Sequence, residues 1–258
     1  MPGIIKYQSF MSNGYFVVGD KGVIAVDTGA EFGAEAVQRI LENAGLKPED
    51  ITLILITHGH VDHFMNIQAW IDVTRAPVMC HENAKRFIVE GLLPDVDLQG
   101  RTRMGKELWA AQQKEGNPIA QSPSGKVDIV FGDDGIDLKP WGVNAIAVYT
   151  PGHTRGDCSV VVGDEAIVGD LFTAPAWTDL AGMTYFTYLN APYEQAQESV
   201  QKLLNLGVKR FWSGHGNPRD DVFVRKALED EKNGKEMYYT KEEIIANTLS
   251  SYMGKIKD

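Results

Sequence analysis

The chain alternates short apolar runs with polar, turn-forming stretches. Residues 15–18 and 23–26, Tyr-Phe-Val-Val and Val-Ile-Ala-Val, flank Gly19-Asp-Lys-Gly22, which predicts a hairpin. A helix is expected over 33–45, closing on Gly45 and Pro48. Residues 51–57 form one continuous apolar, β-branched run, the pattern of a strand covered on both faces. A helix over 65–72, a strand over 76–80 and a helix over 82–90 follow. Residues 91–126 break this rhythm with Gly, Pro and charges, around one helix near 106–114. They read as an insertion that covers something. Strands resume over 128–131, 144–149, 159–162 and 166–168, then a helix over 193–206 and a strand over 208–212. The tail is charged, with helices over 221–233 and 241–255.

This order of elements suggests two α/β halves packed as one domain, 1–220, with a helical extension, 221–258, packed on it. At 258 residues, 43% hydrophobic and 23% charged, the chain is an ordinary globular one. The net charge of −10 makes the average surface repel nucleic acid. No apolar stretch has the length of a membrane span, and the N-terminus carries no leader pattern. Two cysteines, Cys80 and Cys158, form no framework and read as small buried hydrophobes. A cytoplasmic setting fits that usage.

Thr57-His-Gly-His-Val-Asp-His63 places three of the chain's six histidines directly after the apolar run. His58 and His60 are two apart, so an extended segment points them to one side. Asp62 and His63 come where the chain turns into a helix. Asp62 alone would read as a helix N-cap. His153 in Thr-Pro-Gly-His-Thr, Asp170 after Gly169, and His215 in Ser-Gly-His-Gly each follow a predicted strand. Such strand ends converge on one rim of a layered α/β domain. Five histidines and two aspartates are too many for one tetrahedral zinc. They suit two metals roughly 3.5–4 Å apart that make hydroxide at neutral pH and polarise a carbonyl or phosphoryl oxygen. His81 belongs to no motif and reads as structural. Met104, Trp109, Trp177, Met183, Tyr185, Phe186 and Tyr188 are either core or the wall of an apolar pocket.

H-x-H-x-D-H with downstream T-P-G-H-T, G-D and S-G-H-G resembles the metallo-β-lactamase superfamily over about residues 10–217. The resemblance implies an α/β four-layer αββα sandwich with metals at one edge of the sheets. It implies that His58, His60 and His153 hold one cation, that Asp62, His63 and His215 hold another, and that Asp170 bridges them. Asp27 matches a supporting aspartate that is not a ligand. Asp170 argues against the antibiotic-hydrolysing types, which place Cys or no bridging aspartate there. Gly214-His-Gly-Asn-Pro departs from the glyoxalase II-like Gly-His-Glu-Tyr, and Thr173 stands where acyl-homoserine lactonases carry Tyr.

The expected activity is hydrolysis of a small ester, lactone or thioester, with Asp62 or Asp170 orienting the nucleophile and relaying its proton. The expected cofactors are two divalent cations, zinc ahead of iron or manganese. A phosphodiesterase acting on a small phosphodiester or nucleotide is the alternative enzyme. A metal-binding sensor or scaffold without turnover is the alternative outside enzymes. The expected partner is a small-molecule substrate, with no nucleic acid and no membrane, and the charged tail is a candidate for docking a second copy.

Overall fold

The computed structural model describes residues 3–9, 12–30, 33–92, 99–100, 124–173, 185–186, 189–190 and 193–233. Strands β1 (Gly3–Gln8), β2 (Asn13–Val18) and β3 (Val23–Val26) are joined as antiparallel neighbours. Helix α1 (Ala34–Asn43) leads to β4 (Ile51–Ile56), which runs parallel to β3. Then come α2 (Val61–Phe64), α3 (Ile67–Thr74), β5 (Val78–His81) and α4 (Glu82–Glu90). Past a short β6 (Gln99–Gly100), β7 (Ile129–Phe131) completes a six-stranded sheet in the order β1-β2-β3-β4-β5-β7.

The second sheet is built from β8 (Ile136–Asp137), β9 (Ile146–Tyr149), β10 (Cys158–Val162) and β11 (Glu165–Gly169). Two small ribbons follow: β12 (Phe172–Thr173) pairs with β13 (Tyr185–Phe186), and β14 (Leu189–Asn190) pairs with β6. After α5 (Tyr193–Asn205), β15 (Arg210–Ser213) and β16 (Arg219–Asp220) finish the sheet, in the order β16-β15-β11-β10-β9-β8. Helix α6 (Asp221–Lys232) is the last described element.

The period-two alternation of strand side chains creates the layers. Along β2, Tyr15 and Val17 face the second sheet, and Phe16 faces the helices. Leu53 and Leu55 of β4 meet Ala147, Cys158, Val160 and Ile167 between the sheets. Ile54 and Ile56 point outward onto Val37, Leu41 and Trp70 of α1 and α3. On the far side, Val148, Val161 and Val168 pack against Val200 and Leu203 of α5 and Val224 and Leu228 of α6. Helices, sheet, sheet, helices make the four-layer αββα sandwich expected from the motifs. Ile54, Leu55 and Ile56 are fully buried. Each such side chain contributes about 1.5–3 kcal/mol, so the strand leading into the histidine cluster is firmly anchored.

Strands β1, β8 and β16 go beyond the sequence reading, and one helix is placed differently. In place of a helix over 65–72, α2 starts at Val61 and α3 at Ile67. The break is made by long-range bonds: Asn66 donates its N–H to Gly29 O (3.2 Å), and its side-chain oxygen accepts Gly33 N–H (3.1 Å). Cys80, Cys158 and His81 are fully buried, as expected. The His81 ring stacks on Tyr149 with centroids 4.1 Å apart, and its Nδ1 accepts Asn83 N–H to cap α4. The helices expected over 106–114 and 241–255 lie outside the described residues, as do Met104, Trp109, Trp177, Met183 and Tyr188. Among the described residues, no helix is long and apolar enough to cross a membrane.

Candidate metal centre

The ends of β3, β4, β9, β11 and β15 meet at one rim of the sandwich. At the end of β3, Asp27 holds φ 62°, a left-handed conformation uncommon for a side chain other than Gly. Its carboxylate accepts three bonds: Thr57 N–H (2.8 Å), the Thr57 hydroxyl (2.9 Å) and His63 Nδ1–H (2.8 Å). The bond from Nδ1 fixes the His63 tautomer and turns the Nε2 lone pair away from Asp27. That Nε2 is buried without a hydrogen bond and stands 3.6 Å from Asp62 Oδ2 and 3.4 Å from Asp170 Oδ1.

On the adjoining side three imidazoles converge. His58 Nε2 faces His60 Nδ1 at 3.1 Å, and His60 Nδ1 faces His153 Nε2 at 2.6 Å. The His58 Nδ1 stands 3.1 Å from the Thr57 hydroxyl, on the side away from the cluster. His60 occupies the N-cap position of α2, with no side-chain cap bond. Asp62 therefore sits inside the first turn, and its side chain is not the cap.

The loop bearing His153 is shaped by Asp157, a residue the sequence reading passed over. One oxygen accepts the N–H groups of His153 (2.6 Å) and Thr154 (2.8 Å), and the other accepts the Thr154 hydroxyl (2.5 Å). A carboxylate four residues downstream in a Gly-His-Thr-Arg-Gly-Asp turn is the signal that would have found it. Asp170 follows Gly169, whose φ of 52° and approach to Thr57 leave no room for a side chain. The His215 loop is clamped by the first strands. Asn13 Nδ2 donates to Ser213 O (3.0 Å) and Gly216 O (2.9 Å), and the Tyr15 hydroxyl donates to Ser213 O (2.6 Å). A Cβ on Gly214 would overlap Asp170 Oδ1.

All seven residues singled out from the sequence therefore come together. Their ligand-type atoms form the groups His58/His60/His153, His58/His63/Asp170 and Asp62/His63/His215, each within 4.8 Å. Asp170 lies between the two outer groups, with Oδ2 3.7 Å from His153 Nε2 and 3.2 Å from His215 Nε2. His215 Nε2 is also 3.2 Å from Asp62 Oδ2.

The charge balance follows from this crowding. Burial and then the neighbouring imidazoles keep His58 neutral, with its pKa far below normal. Burial opposes a charge on His63 and His215, but the carboxylates outweigh it. His63 rises well above its usual value, mainly through Asp170, and His215 rises to about 10. Burial likewise opposes ionisation of Asp62, yet His63 and His215 hold it down to about 2. Nitrogen lone pairs and carboxylate oxygens aimed at common points need positive charge there, as protons or as cations. This donor set fits cations.

A layered αββα protein with a His/Asp cluster across its sheet ends is the class defined by this fold and site. The Metallo-beta-lactamase superfamily model matches residues 8–215, and the chain belongs to that superfamily. It is 27% identical to a probable metallo-hydrolase of Bacillus subtilis, YqgX, over 86% of this chain and 93% of that one. It is 26% identical to a probable metallo-hydrolase of Methanocaldococcus jannaschii, MJ0888, over 82% and 90% of the two chains. Among solved structures, TTHA1623 in a di-iron-bound form superposes with a TM-score of 0.59 at 19% identity, covering 87% of this chain and 98% of that one.

Proposed function

We propose that this protein is a metal-dependent hydrolase that uses two divalent cations to cleave a small ester, lactone or thioester. The position of Asp170 between the two ligand groups carries this reading. His58, His60 and His153 would hold one cation, and Asp62, His63 and His215 the other. A bound pair supplies a nucleophilic water at neutral pH and Lewis-acid polarisation of the scissile oxygen. The protein's own contribution is placement and proton handling. Asp27 orients His63, Asp157 fixes the His153 backbone, and Asp62 and Asp170 present the carboxylates that accept the water's proton and pass it to the leaving group. The names of the Bacillus and Methanocaldococcus relatives support hydrolysis. The di-iron neighbour keeps iron beside zinc as the native metal.

The test is protein loaded separately with zinc, manganese or iron and assayed on ester, thioester and lactone panels beside bis-p-nitrophenyl phosphate. Acyl turnover that falls by about a thousandfold in Asp170→Asn is the expected result. Preferential turnover of the phosphodiester would overturn the substrate class. Full activity in a folded Asp170→Asn variant would overturn the mechanism.

A further inference from the structure

At the opposite end of β4 from His58, about 20 Å away along the strand, lies a cavity of about 470 Å³. Four segments form it: the β2–β3 turn at Lys21, the start of β4 at Ile51 and Thr52, the α3–β5 link at Thr74–Pro77, and the turn from Lys139 to Gly142. Every charged residue in its wall is cationic: Lys21, Arg75 and Lys139. That is notable in a chain with 35 acidic and 25 basic residues. Lys21 and Arg75 make no ion pair among the described residues. Among the described residues, Lys139 pairs with the exposed Asp137 at 3.6 Å. Trp141, Pro77 and Pro140 supply apolar wall beside these charges.

The cavity is built by the fold. Thr52 donates its hydroxyl to Trp141 O (2.6 Å), and Lys21 donates its N–H to Gly142 O (3.2 Å), so the two turns are tied to each other. Gly142 holds φ 85° with its Cα side pressed on the Lys21 and Gly22 backbone, where a Cβ would collide. Thr74 Oγ1 donates to Trp70 O (2.7 Å) and accepts Ala76 N–H (3.2 Å), which sets the link on the other wall. Between them Arg75 closes α3 in the left-handed conformation, φ 60°. Gly or Asn is the usual residue at that position. An exposed arginine, rather than Gly or Asn, thus holds the left-handed turn that lines the cavity.

We propose that this cavity binds a small organic phosphate of nucleoside-monophosphate size, separately from the metal centre. Arg75 offers a planar fork for two phosphate oxygens, and Lys21 and Lys139 add point charges. The Trp141 and proline wall takes the apolar part of the ligand. The groove is open to solvent on one side, which leaves room for a ligand of this size to sit partly exposed.

The experiment is calorimetric titration of the metal-loaded protein with adenosine monophosphate, with pyrophosphate and with neutral adenosine. The variants are Lys21→Glu, Arg75→Gly and His58→Ala. Adenosine monophosphate should bind saturably and adenosine should not. Binding should weaken about tenfold or more in Lys21→Glu and Arg75→Gly and persist in His58→Ala. Arg75→Gly relieves the left-handed backbone, so it should melt no lower than the parent while losing the ligand. Pyrophosphate binding as tightly as the nucleotide would overturn the apolar half of the proposal. No saturable binding, or binding lost in His58→Ala and retained in Arg75→Gly, would overturn the site.

Discussion

Asp27 takes three hydrogen bonds while its own backbone sits in a left-handed conformation. Replacing it by Asn keeps the shape but removes the charge that orients His63. Metal affinity should fall about 10–100-fold, with the fold retained, as read by competitive titration against a chromophoric chelator. Unchanged affinity would mean that Asp27 serves the Thr57 turn alone. Gly214→Ala makes a steric test of the same centre. The added methyl would push Asp170 aside, so the purified variant should carry substoichiometric metal by plasma mass spectrometry. The seven ligand-type residues were legible because they sit at, or just past, the ends of strands that hydrophobic pattern already marks, Asp62 and His63 in the short helix that follows β4. Asn13, Tyr15 and Asp157 were not. Asn13 and Tyr15 act on carbonyls about 200 positions away, and no local pattern encodes such a pairing.

Among the elements, β4 and α4 matched their sequence patterns closely, because burial on both faces and a terminal Gly are local signals. The split between α2 and α3 was hidden, since the bonds of Asn66 to Gly29 and Gly33 decide it. The loop between β9 and β10 is the element most exposed to a single change. Asp157→Ala leaves three donors without their acceptor, two of them the N–H groups of His153 and Thr154. Unsatisfied buried donors cost about 1–3 kcal/mol each. The variant should melt lower and lose metal at the His153 side. An unchanged melting temperature and full occupancy would show that water replaces the carboxylate.

For the whole molecule, the charge state of the centre links stability to pH. In the metal-free protein His215 is raised from 6.5 to about 10. A raised folded value contributes stability fully below pH 6.5 and loses it as pH climbs through about 10. The melting temperature of chelator-treated protein should therefore fall between pH 7 and pH 10. Cations take the place of these protons, so the loaded protein should not show the same fall. Uptake of metal at neutral pH should also release protons, seen as a heat that changes with buffer ionisation enthalpy. A heat independent of buffer would contradict the protonated cluster.

The grip of Asn13 and Tyr15 on the His215 loop also sets a schedule for biosynthesis. The His58-His60 turn leaves the ribosome about 150 residues before His215, a lag of roughly 8–30 s at ~5–20 residues per second. During that interval the ligand groups that include His153, Asp170 and His215 are incomplete. Docking of the Ser213–Gly216 loop onto Asn13 and Tyr15 is the step that closes the nest, so the complete ligand set exists only once β15 and its following loop have been made.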